Sequence, residues 1–207
     1  MSLEPATNEW ATAEHALAYL ERADRMPRRD AGYVELLELL PPEPRRVLDL
    51  GTGDGRLLAM TGAAGVALDF SPTMLAEAEK RFAGRADVEL VEHNFNAPLP
   101  DMGTFDAVVS AFAIHHCEDE RKRRLYAEVF ALLEPGGVFC NLEHVSSPTD
   151  RLHADFLALL DAPEDPSNRL LDVETQLGWL RAIGFEDVDC YWKWRELALL
   201  AGARPAA

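Results

Sequence analysis

Short apolar segments alternate with helical segments between residues 46 and 144, and this alternation constrains the fold more than any other feature. The five predicted strands are 46–50, 65–69, 88–91, 105–110 and 138–144. Four of them are continuous apolar runs, which is typical of strands buried on both faces of a sheet. The pattern therefore predicts an α/β fold in which helices cover both faces of an open, mostly parallel sheet.

The flanking regions complete one predicted domain over residues 1–207. Helices are predicted at 9–26, 30–40, 150–161 and 173–183, and two further strands at 188–194 and 195–200, joined with little or no gap as an antiparallel pair or a bulged bend. We expect four regions: N-terminal helices forming part of a lid (1–44), a ligand-binding core (45–145), a lid insertion (146–172) and a C-terminal helix with the last two strands (173–207). Candidate wall residues of the lid are His153, Phe156, Arg169 and Trp179.

The charge balance restricts the partners. Thirty-six acids against 20 bases give a formal charge of −16. Such a surface repels DNA and anionic membranes, because affinity for phosphate comes largely from Lys and Arg, although the same charge is also explained by solubility alone. The three cysteines are far apart and predict neither a disulfide framework nor a metal site, which favours a reducing, cytoplasmic location. No apolar run is long enough to predict a membrane span.

A glycine-rich turn follows the first strand. Gly51, Gly53 and Gly55 supply positive φ and close ligand approach. Their spacing is G-x-G-x-G, whereas a dinucleotide site needs G-x-G-x-x-G. Asp49 and Asp54 adjoin the turn, and at about 4 Å two carboxylates would oppose a pyrophosphate by several kcal/mol even at an effective dielectric constant of about 20. A cationic ligand without phosphate suits the turn better.

Asp69 stands twenty residues after Asp49, where the second strand ends. An acid at this position accepts hydrogen bonds from both hydroxyls of an adenosine ribose. The alternative is an aspartate that only caps the following helix or its loop. Ser71 is the predicted N-cap of that helix, with Pro72 at its first position.

Four segments in order resemble the class I S-adenosylmethionine-dependent methyltransferases: VLDLGTGDG at 47–55, ALDFSPTML at 67–75, FDAVVSAFAIHH at 105–116 and LLEPGG at 132–137. The resemblance covers residues 45–145 closely. It implies a Rossmann-like sheet of seven strands with the last strand antiparallel, and S-adenosyl-L-methionine as cofactor.

The resemblance also assigns cofactor contacts. Asp49 would lie near the methionine ammonium, Asp69 would hold the ribose, and Asn94 or Asn96 would replace the acid that the family often has after strand three. The full set of implied cofactor residues is Asp49, Gly51, Thr52, Gly53, Asp69, Phe70, Met74, Asn94, Phe95, Asn96, Ser110, Ala111 and Phe112. One of Arg22, Arg25, Arg28 and Arg29, with Tyr19 beside it, is a candidate for the cofactor carboxylate, the alternative being a surface charge cluster.

Three histidines are candidate general bases, since they follow strands four and five at the edge where ligands of open α/β sheets bind. They are His115, His116 and His144, with Glu143 as a possible partner of His144. The alternatives are that His115 packs on the cofactor and His116 caps a helix. Cys117 is expected to pack, and the basic run at 120–124 to be a solvated helix face.

These observations predict an enzyme that transfers a methyl group to a small organic acceptor by in-line displacement, as a monomer or homodimer. The acceptor atom, O, N or C, stays open. The alternatives are a non-catalytic S-adenosylmethionine-binding regulatory module, a nicotinamide-dependent oxidoreductase and a tRNA-modifying methyltransferase.

Overall fold

Seven strands form one sheet in the order β3-β2-β1-β4-β5-β7-β6. The computed structural model describes residues 26–206 of the chain. Its strands are β1 (Arg46–Leu50), β2 (Ala64–Asp69), β3 (Val88–Glu92), β4 (Phe105–Ala111), β5 (Leu133–His144), β6 (Glu186–Trp194) and β7 (Leu197–Ala203). The helices are α1 (Arg29–Glu38), α2 (Arg56–Thr61), α3 (Pro72–Arg81), α4 (Asp119–Leu132), α5 (Asp150–Leu160) and α6 (Val173–Ile183), with a 3₁₀ turn at Ile114–His116.

The topology confirms the predicted fold class. Strands β1 to β5 pair in parallel, and β7 pairs antiparallel with both β5 and β6. The chain builds outward from β1 through β2 and β3, then returns to build β4 and β5 on the other side. The order therefore reverses between β1 and β4, and ligands of open α/β sheets bind at the carboxyl end of such a switch point.

Separate apolar cores cover the two faces of the sheet, which explains the continuous apolar strands. One core joins the sheet to α4 and α6 through Tyr126, Val129 and Leu180. The other joins it to α1, α2 and α3 through residues such as Leu36 and Leu58. Neighbouring residues of β1 divide between the two, so both faces of the strand are buried.

Strand β5 and the junction of the last two strands differ most from the sequence prediction, while other strand ends shift by one to three residues. Strand β5 begins at Leu133 rather than Val138, because the Pro135–Gly137 turn is a bulge inside the strand: Phe105 pairs with Leu133, but Ala107 pairs with Val138. The last two strands are separated by a two-residue turn at Arg195 and Glu196, so β7 runs from Leu197 to Ala203. The positive φ of Arg195, 54°, reverses the chain there.

Part of the prediction falls on residues 1–25, which lie outside the described range. This applies to the predicted helix at 9–26 apart from its last residue, and to the cofactor role suggested for Tyr19, Arg22 or Arg25. Within residues 26–206, no helix has the length and apolar character needed to cross a bilayer.

Candidate functional site

The glycine turn lies at the carboxyl end of β1 and has the geometry its sequence predicts. All three glycines have positive φ: 70° at Gly51, 58° at Gly53 and 78° at Gly55. The Gly51 and Thr52 amides both donate to the Leu68 carbonyl, at 2.8 and 3.0 Å. A Cβ on Gly51 would stand 2.3 Å from that of Ala113, whereas one on Gly53 would meet nothing within 4 Å. The turn thus packs on the loop after β4 at Gly51 and leaves open space at Gly53.

Asp49 is a buried acid beneath this turn. One carboxylate oxygen accepts from the Thr52 hydroxyl at 2.7 Å and from the Leu58 amide at 3.2 Å. Burial raises the pKa of Asp49 to about 7, against the lowering effect of both hydrogen bonds. A cation close to this carboxyl would favour its ionised form.

Asp69 ends β2 and joins the turn to α3. Its two oxygens accept from the Gly53 and Ser71 amides, each at 2.9 Å. Ser71 caps α3 as predicted, accepting from the Met74 amide. Asp69 therefore has the local capping contact that the alternative expects. Each carboxylate oxygen retains further acceptor capacity, which leaves the ribose role available. Burial raises the pKa of Asp69.

Asp54 differs from the expectation. Its carboxylate pairs with the Arg81 guanidinium, which also donates to the Asp54 carbonyl at 2.7 Å. The turn consequently presents the single buried acid Asp49 rather than two unneutralised carboxylates, so the electrostatic argument against pyrophosphate is weaker than the sequence suggests.

The segment after β3 lies beside the turn. The Asn94 side-chain oxygen accepts from the Asn96 amide at 2.9 Å, and both asparagines are exposed. The Phe95 ring is buried and lies 3.4 Å from the Cβ position of Gly51. The sequence leaves open whether Asn94 or Asn96 contacts the adenine. The side-chain oxygen of Asn94 already accepts a hydrogen bond within this segment.

The end of β4 forms the other wall. Ser110 is fully buried, and its hydroxyl donates to the Leu50 carbonyl at 2.8 Å. Phe112 is buried with φ of 55°, a conformation that costs a bulky residue energy and occurs at ligand sites. Arg29 of α1 stacks over the Phe112 and Tyr33 rings, 5.6 and 5.2 Å from their centroids. Of the arginines suggested from sequence, Arg29 reaches this wall.

The three predicted histidines do come together. The His115 ring centroid lies 4.0 Å from that of His116 and 5.6 Å from that of His144. The partners differ from the prediction, however. His115 Nδ1 lies 2.5 Å from Glu143 Oε1, while His144 Nε2 lies 2.8 Å from Glu196 Oε2. His115 and Glu143 are both buried, with exposed fractions of 7% and 1%.

Burial governs the protonation of this cluster. It lowers the pKa of His115, with a further contribution from nearby His144, and it lowers the pKa of His116 to about 3. It raises the pKa of Glu143 to about 7. His115 and His116 are thus held neutral at physiological pH, which is the state a general base requires. Burial also raises the pKa of Cys117 to about 12, consistent with a packing role.

The basic run contradicts the sequence prediction at two positions. Arg121 and Lys122 are buried rather than solvated, with exposed fractions of 8% and 1%. Arg121 donates to the Phe95 and Ala97 carbonyls at 2.6 and 3.0 Å, and Lys122 donates to the Arg169 carbonyl and, at 2.9 Å, to Asp119. These cations anchor two loops on α4. Helical spacing alone does not reveal this, because the loop carbonyls are distant in sequence.

Segment 146–172 lies over the histidines. The Ser167 hydroxyl lies 3.0 Å from His116 Nδ1, and the Arg169 amide donates to the His115 carbonyl at 2.9 Å. His153 Nδ1 lies 3.0 Å from Glu196, and the Phe156 ring lies 5.6 Å from that of His144. Trp179, also expected in the wall, instead packs in the α4–α6 core against Tyr126.

Within residues 26–206, no group of three or more His, Cys, Asp or Glu side chains is arranged to bind a metal ion.

Comparisons with known proteins agree with this geometry. A family profile described as "Methyltransferase domain" matches residues 47–137. The demethylmenaquinone methyltransferase of Clavibacter sepedonicus is 33% identical over an alignment of 171 positions, gaps included, that covers 72% of this chain and 69% of that protein. The trans-aconitate 2-methyltransferase of Methylobacterium nodulans is 32% identical over an alignment of 211 positions, gaps included, that covers 95% of this chain and 76% of that protein. Other curated relatives are matched over only about half of their own length.

Solved structures share the fold. The N-methyltransferase NodS from Bradyrhizobium japonicum, solved with S-adenosyl-L-homocysteine, superposes with a TM-score of 0.73 at 16% identity. The superposition covers 96% of this chain and 99% of the NodS chain. At that identity the likeness concerns the fold alone.

Proposed function

This chain belongs to the class I S-adenosylmethionine-dependent methyltransferases, and on that premise we propose that it methylates a small organic acceptor whose nucleophilic atom must first lose a proton. The relatives named for demethylmenaquinone and trans-aconitate both act on small organic molecules, which supports the acceptor class. The buried His115–Glu143 pair carries the proposal, because a carboxylate acceptor needs no base whereas a phenol, quinol or amine does.

The residues at the switch point fit the cofactor. When bound, S-adenosylmethionine supplies a methyl group activated by its positively charged sulfur. The open space at Gly53 admits the amino-acid part, Asp49 offers a carboxylate to its ammonium, and Asp69 offers acceptor oxygens to its ribose. Phe70 lies between β2 and α3, and Met74 lies in the first turn of α3, where the two side chains would flank the adenine.

His115 is the proposed base. Glu143 bonds to its Nδ1, which orients the ring and stabilises the imidazolium that forms when Nε2 takes a proton. His115 Nε2 would take the acceptor's proton, and bound S-adenosylmethionine would supply the methyl group to the atom that this leaves free. General-base catalysis of this kind contributes about 10²–10⁴-fold to a rate.

Segment 146–172 is the proposed cover of the acceptor pocket. The contacts of Ser167 and Arg169 with His116 and His115 support this, since they place the segment over the candidate base. Excluding water there strengthens the electrostatic interactions of the pair and prevents side reactions.

The test is His115→Ala, with His116→Ala and His144→Ala as matched controls in the same cluster. The probes are S-adenosylmethionine with a reduced naphthoquinone, a catechol or trans-aconitate. We expect kcat on a quinol or catechol to fall about 10²–10⁴-fold in His115→Ala alone, with the Kd for S-adenosylhomocysteine unchanged. Equal rates in His115→Ala and wild type would contradict the base, and cofactor binding without any transfer would favour the non-catalytic module.

A further inference from the structure

A chain of buried polar side chains leads through the α4–α6 core to Glu143. Its members share almost complete burial, with exposed fractions of 1%, 0%, 0% and 1% for Gln176, Tyr126, Asn141 and Glu143. Asn141 and Glu143 are two apart on β5 and face the same side of the sheet. A polar chain inside an apolar core is costly unless its hydrogen bonds are made, so its arrangement calls for a reason.

The direction of the hydrogen bonds is set at the far end of the chain. The Gln176 amide nitrogen donates to the Leu171 carbonyl at 3.0 Å, and this contact turns the Gln176 side-chain oxygen toward Tyr126. The Tyr126 hydroxyl donates to that oxygen at 2.7 Å. The hydroxyl oxygen then accepts from Asn141 Nδ2 at 3.2 Å. A backbone carbonyl cannot donate, so each link follows from the one before it.

The last hydrogen bond of the series directs an N–H group of Asn141 at Glu143. Asn141 Nδ2 lies 3.4 Å from Glu143 Oε2, and the His144 backbone amide donates to Oε1 at 2.9 Å. Both oxygens therefore face donors, an arrangement that favours the carboxylate over the protonated acid. With Glu143 kept a carboxylate, His115 Nδ1, 2.5 Å from Oε1, faces an acceptor, which favours the tautomer with the proton on Nδ1.

We propose that Asn141, Tyr126 and Gln176 are positioning residues that keep Glu143 an acceptor and thereby hold His115 in the tautomer with its proton on Nδ1 and its lone pair on Nε2. The consequence for turnover rests on the proposed function, in which Nε2 is the base. This series of hydrogen bonds starts where the two ends of segment 146–172 meet, since the Leu171 carbonyl also accepts from the Ser146 amide at 3.1 Å.

Other charged and titratable groups face the pair from the surrounding elements and form the background for any pH effect. They are His116 in the 3₁₀ turn, Cys117 after it, Lys122 and Tyr126 on α4, His144 on β5 and Asp165 in segment 146–172. The variants that test the proposal leave all of these unchanged except Tyr126.

The experiment compares Asn141→Leu and the milder Tyr126→Phe with Cys140→Ala, which alters a buried neighbour of Asn141 on the opposite face of β5. Loss of the Asn141 donor, or of the hydroxyl that orients it, destabilises the Glu143 carboxylate. The acidic limb of the kcat/KM profile on the quinol or catechol probe should then move up by about one to two pH units, with activity returning at alkaline pH. Cys140→Ala should leave the limb in place.

Imidazole ¹⁵N chemical shifts of His115 give a readout independent of turnover. We expect the Nδ1–H form in wild type and Cys140→Ala, and loss of that preference in both network variants. An Nε2–H form in wild type, or a uniform fall in rate at every pH in the variants, would overturn the inference. A tautomer change together with full turnover in His115→Ala would leave the inference standing and remove the base of the proposed function.

Discussion

Four buried carboxylates at the carboxyl edge of the sheet differ in their pKa because their surroundings differ. They belong to Asp49, Asp69, Glu143 and Glu196. Burial raises the pKa of Asp49 and of Glu143 to about 7 in each case. Burial also opposes ionisation at Glu196, but hydrogen bonds from His144, Ser147 and His153 outweigh it and lower the pKa. Asp69 has two backbone donors, and its pKa is still raised. The balance between burial and hydrogen bonding, rather than residue type, thus sets the direction in which each pKa shifts.

Asp69→Ala tests the ribose role at the scale of one residue. Removing the carboxylate that is proposed to accept from two ribose hydroxyls should weaken S-adenosylhomocysteine binding by about 1–3 kcal/mol, measured by isothermal titration. Glu92→Ala is the matched control, because Glu92 pairs with Asp69 in the β2–β3 register but is exposed. Unchanged affinity in Asp69→Ala, with only a lower melting temperature, would show that the acid serves the loop alone.

At the scale of elements, the glycine turn and the loop after β4 depend on each other. Gly51 packs against Ala113, which lies two residues before His115. Phe112, the residue before Ala113, has a positive φ. The loop is further fixed by the Phe112 amide, which donates to the Leu142 carbonyl at 2.8 Å. The glycine turn therefore contacts the element that carries the proposed base, so a change in one is expected to displace the other.

Gly51→Ala should reveal this contact. The added methyl meets Ala113 and the backbone has φ of 70°, whereas Gly84→Ala has comparable strain at φ of 85° with no atom nearby. The difference between the destabilisation by Gly51→Ala and that by Gly84→Ala measures the steric conflict with Ala113. We expect this difference to be about 1–3 kcal/mol in the free energy of unfolding, measured by urea denaturation. Equal destabilisation by both substitutions would argue that the loops do not press on each other.

At the scale of the whole molecule, stability and ligand binding make opposite demands on the same edge of the sheet. Two apolar cores stabilise the fold, while buried titratable groups gather where the order of the strands reverses. Asp49 is the simplest of these to analyse, because its raised pKa comes mainly from burial. Since the folded state holds this proton more tightly than the unfolded state does, stability falls as pH rises from about 4 to about 7.

Asp49→Asn removes that dependence. Relative to wild type, the variant should gain about 2–3 kcal/mol in the free energy of unfolding between about pH 5 and pH 8, measured by urea denaturation across the range. Asp87→Asn is the control: a hydrogen bond from Arg85 lowers the pKa of Asp87, so its effect is constant in that range. Parallel curves for Asp49→Asn and wild type would contradict the raised pKa of Asp49.

The sequence by itself determined the sheet class, the glycine turn and the strand ends that carry Asp49 and Asp69. These features depend on local patterns: apolar runs require burial on both faces, glycine supplies positive φ, and a strand followed by a helix fixes where a side chain emerges. The predicted strand β5 missed the bulge at Pro135–Gly137 because pairing of Leu133 with β4 and hydrogen bonds of Gly136 and Gly137 with Arg204, rather than local propensity, keep that segment in the sheet.

Only the tertiary structure decided which charged groups meet. Glu143 pairs with His115 across 28 residues and His144 with Glu196 across 52, so the sequence suggested the wrong partner for His144. Arg121 and Lys122 look like a solvated basic run but cap loop carbonyls, and Arg81 neutralises Asp54 from α3. Ion pairs and buried hydrogen bonds depend on distances between elements that chain order leaves open, whereas a turn or a strand is encoded in neighbouring residues.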